Sequence, residues 1–129
     1  LSPLSFLKRS AHVYPQKIAI IHGDRRYTYA QFYERCRRLA SALSARGVGE
    51  GDTVSVLSPN IPEMLECHFA IPMLGAVLNA MNILLDYATI AFILEHGEAK
   101  AIIIDKQFSA VMADALDHIS TNPFGKKKL

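Results

Sequence analysis

The sequence predicts an α/β domain, in which a largely parallel sheet is flanked by helices. Three observations carry that expectation. Short β-branched runs alternate with segments of helical periodicity; turn or cap residues stand at the junctions between them; and 129 residues, 50% hydrophobic and 20% charged, suffice for one apolar core. Alternation at this spacing implies right-handed βαβ crossovers.

The elements follow in order. Residues 18–21 form a strand, His22, Gly23 and Asp24 turn the chain, and Arg26, Tyr27 and Thr28 form a second strand. Thr28 and Gln31 have the spacing of a capping box, so a helix begins near Tyr29. Its apolar stripe is Phe32, Cys36, Leu39, Ala40 and Leu43, while Arg35, Arg37, Arg38 and Arg46 are read as a solvated face and Gly47 as the stop. The run Gly47-Val48-Gly49-Glu50-Gly51 follows a helix and leads into a strand. A phosphate-cradling loop needs the reverse order, so the run is read as a C-cap plus a turn.

Residues 53–58 form the next strand, Ser58-Pro59-Asn60 a turn, and Pro62 the opening of a helix through Met64, Leu65 and Phe69 that Pro72 kinks or ends. Residues 76–81 read as a buried strand. Asp86 caps a helix carrying Ile90, Ile93 and Leu94, with His96 in its last turn and Gly97 beyond. Residues 101–104 read as a fully buried strand. The last helix carries Phe108, Val111, Met112, Ala115, Leu116 and Ile119, and Ser120-Thr121-Asn122-Pro123 breaks it. Residues 1–17 receive no element in this reading.

Charge excludes some functions. The formal net charge of +2 becomes about −1 without Lys126, Lys127 and Lys128, so the rest of the chain has no basic stripe and no nucleic-acid partner is expected. Cys36 and Cys67 form no C-x-x-C pair, which points to a reducing compartment. No apolar run approaches the roughly 20 residues of a membrane span. The chain starts at Leu1 without a secretory pattern; the expectation is a protein that is not secreted and whose true start was removed by processing or truncation.

Reactive chemistry is sparse. His12, His22, His68, His96 and His118 are scattered, and Cys67-His68 is read as a buried thiol beside a surface imidazole rather than as a pair of metal ligands. No G-x-S-x-G elbow occurs. Asp105 ends a strand, where ligands of open α/β sheets gather, and is read as a turn or capping residue. No catalytic, cofactor-binding or metal-binding residue is assigned.

The motifs together resemble the adenylate-forming acyl-CoA synthetases. Tyr27-Thr28-Tyr29-Ala30-Gln31-Phe32 is similar to the first core motif of that superfamily, and Gly47-Val48-Gly49-Glu50-Gly51-Asp52-Thr53-Val54 to the turn that follows. Leu74-Gly75-Ala76-Val77-Leu78-Asn79-Ala80-Met81-Asn82 resembles the second core motif. Ser58-Pro59-Asn60-Ile61-Pro62-Glu63 and Ala91-Phe92-Ile93-Leu94-Glu95-His96-Gly97 look like the plant acyl-activating enzymes, a group with short-chain, medium-chain and benzoate CoA ligases.

The resemblance runs from about Leu4 to Ile119. It implies that residues 1–119 are the first part of a large N-terminal AMP-binding domain, with 120–129 as an unstructured tail. It also implies a parent reaction in which ATP and a carboxylic acid give an acyl-adenylate and coenzyme A then displaces AMP. ATP, Mg and CoA are therefore cofactors of the parent enzyme, and none is expected in this fragment. In the family, the phosphate loop, the adenine and ribose contacts, the magnesium-associated acid and the lysine of the mobile C-terminal domain all come later in the chain.

An inactive N-terminal fragment is thus expected; the alternative is a truncated interaction module that pairs with a full-length relative or self-associates through uncovered apolar surface. Leu84 departs from the pattern, since relatives usually carry arginine there. The end Lys127-Lys128-Leu129 matches the peroxisomal Ser-Lys-Leu address at two of three positions, and the expected compartment is cytoplasmic or peroxisomal.

Overall fold

The structure, a computed structural model, describes residues 2–121. Helix α1 spans Pro3–Val13, strand β1 Ile18–His22, β2 Arg25–Thr28, α2 Tyr29–Ala45, β3 Thr53–Leu57 and α3 Pro62–Met73. Strand β4 spans Val77–Ala80, α4 Tyr87–His96, β5 Ala99–Ile104 and α5 Ser109–Thr121, the last preceded by a 3-10 turn at Lys106–Phe108.

Local signals place most of these boundaries. Thr28 Oγ1 accepts from the Gln31 N–H at 3.1 Å while Gln31 Oε1 accepts from the Thr28 N–H at 2.9 Å, completing the capping box of α2. Asp86 Oδ1 accepts from the Thr89 N–H at 2.8 Å and opens α4. Pro72 sits in the last turn of α3, which ends at Met73, and Gly75 then takes φ +70°, a conformation that costs a residue with a Cβ. The sequence reading assigns no element to α1, although Pro3 at its first position and an amphipathic stripe around Leu7 mark it as a helix.

Strands β4, β3 and β5 form a parallel three-stranded sheet in that order, with Val54 opposite Leu78 on one side and Ala101 on the other. Strands β1 and β2 form a separate antiparallel hairpin with Ile20 opposite Tyr27. The α/β class with a parallel sheet is as expected, but burial within the sheet is not. Residues 76–81 and 101–104 were read as buried strands, whereas the structure puts β4 and β5 at the two edges. Val77 is 52% exposed and Ala101, Ile102, Ile103 and Ile104 are half-buried. Composition cannot tell an edge from a centre; only the strand order does. The fully buried strand is β3, whose Val54, Ser55, Val56 and Leu57 have no exposure.

Side-chain alternation along β3 sends Val54 and Val56 to one face and Ser55 and Leu57 to the other. The first face packs with Leu43, Met64, Cys67 and Ile71 of α2 and α3, and the second with Ile90 and Leu94 of α4 and Met112, Ala115 and Ile119 of α5. A third cluster, Leu7, Phe32 and Cys36, joins α1 and α2 to the hairpin. Phe32 meets Phe69 of α3 edge-on at 5.6 Å between ring centroids.

Helix α5 also runs two residues past the expected break. The hydroxyls of Ser120 and Thr121 donate to the Asp117 carbonyl at 3.0 and 2.9 Å, so both residues stay helical. The remainder of the break and of the 120–129 tail lies outside the described residues.

Leu94→Ala is expected to lower unfolding free energy by about 2–5 kcal/mol because it opens a cavity where the wild-type side chain has no exposure. Leu84, 87% exposed, is the control, and its replacement by alanine is expected to stay within about 0.5 kcal/mol. Urea denaturation followed by circular dichroism measures both.

Candidate functional site

In an open parallel sheet, ligands gather at the carboxyl ends of the strands. There this chain has a cleft of about 390 Å³, lined by Val56 and Ser58 after β3, Ile104, Asp105 and Lys106 after β5, and Glu63 and Cys67 of α3. Arg25 reaches the rim from β2.

Two charged groups of the rim, Arg25 and Glu63, are bound to each other, although Glu63 Oε2 is buried without a hydrogen-bond partner among the described residues. Arg25 Nη2 donates to Glu63 Oε1 at 2.5 Å and to the Tyr27 hydroxyl at 2.8 Å. The Arg35 guanidinium lies 4.6 Å from the Tyr27 ring centroid, donates through Nε to Glu66 Oε1, and approaches Glu63 Oε1 at 3.9 Å. Glu66 is the one charged residue among the buried residues described, only 5% exposed. Arg35 was read as part of a solvated arginine face, and this is a correction: Arg37 and Arg38 project into solvent, but Arg35 is turned inward, since a carboxylate that close to the core requires a cation. Local periodicity carries no trace of these pairs, whose partners stand 38 and 31 residues apart.

Three further polar groups of the cleft, Asp105, Ser58 and Cys67, are engaged or unactivated. Asp105 Oδ1 accepts from the Gln107 N–H at 3.1 Å, the capping role read from sequence. Ser58 Oγ donates to the Pro59 carbonyl at 3.0 Å. Burial pushes the Cys67 thiol up to about 11, away from the thiolate a nucleophile needs. Cys67 is buried and His68 exposed, with its Nδ1 2.9 Å from the Met64 carbonyl, so the two side chains diverge as expected.

The glycine run lies at the opposite end of β3 from the cleft. Four of its five N–H groups are spent inside the chain: Gly47 donates to Ser44 O at 3.0 Å, Val48 to Leu43 O at 3.1 Å, Gly49 to Asp52 Oδ2 at 2.8 Å and Gly51 to Gly75 O at 2.9 Å. Gly47 and Gly51 have φ of +90° and +81°, left-handed values that glycine adopts without strain. Among the described residues no three His, Cys, Asp or Glu side chains stand together as metal ligands. The donors present therefore do not fit a triphosphate and its cation, and no reaction step is derived through them. Among the described residues no helix is long and apolar enough to cross a membrane.

Comparison with known proteins gives a family context. A family model described as AMP-binding enzyme matches residues 7–127. The peroxisomal acetate/butyrate–CoA ligase of Arabidopsis thaliana is 51% identical over 116 residues, covering 90% of this chain and 20% of the ligase. An acetate–CoA ligase of Humulus lupulus is 49% identical over 116 residues, again 90% of this chain and 20% of the relative. The inhibitor-bound N-terminal domain of FACL13 from Mycobacterium tuberculosis superposes with a TM-score of 0.84 at 30% identity, covering 95% of this chain and 30% of that one. The chain thus spans about one fifth of the length of the curated relatives it matches.

Two outcomes follow from the charge network. Arg35→Ala strands the Glu66 carboxylate and is expected to cost on the order of 3 kcal/mol, the low end for a stranded buried charge because Arg35 itself is partly exposed; Glu66→Gln is expected to cost about 1 kcal/mol. Acid provides the second test. The hydrogen bond from Arg25 holds the Glu63 carboxyl below its ordinary 4.5, and the Gly49 N–H followed by Lys100 holds Asp52 below its ordinary 3.8. A lowered folded value stabilises the fold above the unfolded value and is lost as pH falls through the folded one. Stability is therefore expected to fall as pH drops below about 4.5, and Arg25→Gln to flatten that fall, in urea titrations across pH 2–6.

Proposed function

Because this chain belongs to the AMP-binding enzyme family, we propose that it forms the opening scaffold of an acyl-CoA ligase acting on a short-chain carboxylic acid. The observation that supports this reading most is the 51% identity, sustained over 116 residues, to an acetate/butyrate–CoA ligase. In this reading the complete enzyme joins the acid to coenzyme A at the expense of ATP, with Mg²⁺, releasing AMP and pyrophosphate.

No residue of this chain is given a catalytic, cofactor-binding or metal-binding role. Stabilising a transferring phosphoryl group requires preorganised N–H donors and a cation aimed at it. The amides of Gly47, Val48, Gly49 and Gly51 serve the turn, and Arg25 of the cleft serves Glu63. The contribution of the chain is structural: it supplies sheet and helix layers, and the residues that grip the nucleotide belong to other parts of the ligase fold. A peroxisomal location fits the name of the Arabidopsis relative.

ATP–pyrophosphate exchange tests the proposal. The 129-residue chain alone is expected to give no exchange above background with acetate or butyrate. A hybrid in which residues 2–121 replace the equivalent stretch of the Arabidopsis ligase is expected to exchange within about tenfold of the parent, because the replaced stretch holds no reacting group. Exchange by the chain alone, or a folded but inert hybrid, refutes it.

A further inference from the structure

We propose that the groove where α1, α2 and the C-terminal end of α3 meet binds an aliphatic carboxylate, with its head on Lys8 and Arg37 and its tail on an apolar floor. The groove holds about 360 Å³, within the range of small-molecule sites. Its floor is Leu4 of α1, Ala40 of α2, Met73 at the end of α3 and Leu74, which caps that helix. Its polar side chains are Ser5 and Lys8 of α1 and Tyr33 and Arg37 of α2. Helical spacing assembles it: Leu4 and Lys8 stand four apart on α1, and Tyr33, Arg37 and Ala40 at i, i+4 and i+7 on α2. The inference stands on these side chains and not on the ligase reading.

Charge selects the occupant. Each of the four polar side chains can donate a hydrogen bond, and among the described residues no carboxylate lines the groove, which favours an anionic head over a neutral or cationic one. Both cations are available to it. Lys8 is exposed and has no ion pair among the described residues. Arg37 Nη1 approaches Glu34 Oε2 only at 3.9 Å, with the two side chains 62% and 51% exposed, a surface pairing of little worth. Its guanidinium stays beside the groove, 5.9 Å from the Tyr33 ring centroid. The planar guanidinium matches the two oxygens of a carboxylate, and the ammonium of Lys8 adds a second charge.

Two other cavities lack this combination. The cleft at the strand ends carries Glu63 and Asp105 beside its cations, and the cavity between α1, β1 and α3, with Phe6, Tyr29 and Phe69 on its lining, holds no charged side chain. The groove is also apart from the cleft. Glu63 lies in the first turn of α3 and Met73 is its last residue, about 15 Å away along the helix axis.

Methionine-methyl NMR of the 129-residue chain locates the ligand, because its four methionines report on separate places: Met73 on the groove, Met64 on the strand-end cleft, Met81 and Met112 on the core. Octanoate, titrated as a monomer at neutral pH, is expected to shift the Met73 signal saturably and leave the other three in place. Octan-1-ol is expected to bind at least about tenfold more weakly, and Lys8→Gln and Arg37→Gln each to weaken octanoate about tenfold. Both side chains are exposed, and unmoved Met81 and Met112 signals show that the variants are folded; the octanol comparison needs no variant. Octanoate that shifts no methionine, or Met64 in place of Met73, overturns the inference. So does octanol binding as tightly as octanoate, which is apolar partition alone, and so do variants that bind octanoate as the unaltered chain does. A Met73 signal that responds to vesicles of anionic phospholipid but not to octanoate assigns the groove to a membrane surface and overturns it too.

Discussion

The structure depends on one strand being enclosed from every side. Residues Val54 to Leu57 of β3 are covered by helices on both faces and hydrogen-bonded to a neighbour on each edge. The neighbouring strands are tied to it at their exits as well: the Met81 N–H donates to Val56 O at 2.9 Å and the Asp105 N–H to Leu57 O at 3.0 Å. Such enclosure leaves no water to satisfy a polar group. The hydroxyl of Ser55, fully buried, is met by Asn79 from the adjacent strand. Helices α2 and α3 on one face and α4 and α5 on the other are positioned by what β3 projects toward them.

A second layer of constraint is electrostatic. Packing α2 against α3 carries Glu66 almost out of solvent, which commits Arg35 to it; Arg35 in turn lies over Tyr27, and Arg25 closes the set on Glu63. Hairpin, α2 and α3 are thereby tied together by these pairs, with Glu63 Oε2 left buried and without a hydrogen-bond partner among the described residues. The cleft at the strand ends has the location of a binding site, and of the two cations on its lining Arg25 is committed to Glu63 while Lys106 has no ion pair among the described residues.

The AMP-binding ligases this chain resembles are about five times as long, and β5 is an apolar edge whose isoleucines are half-buried. Apolar side chains are also exposed elsewhere, Phe92 and Leu84 among them.

Much of the fold was legible in the residues. The Thr28 capping box, the Asp86 cap, the proline at the start of α3 and the glycine turn before β3 each depend on neighbours within a few positions, so the sequence determined the helices, strands and turns, and the motifs determined the family. Helix α1, to which the sequence reading gives no element, carries local signals of the same kind, Pro3 at its first position and an amphipathic stripe around Leu7. The edge position of β5, the inward turn of Arg35 and the cleft with its pairing of Arg25 and Glu63 were decided by tertiary structure alone. Each depends on which segments, tens of residues apart, come to lie side by side, and that information is held in the packing of the whole chain rather than in any local stretch of it.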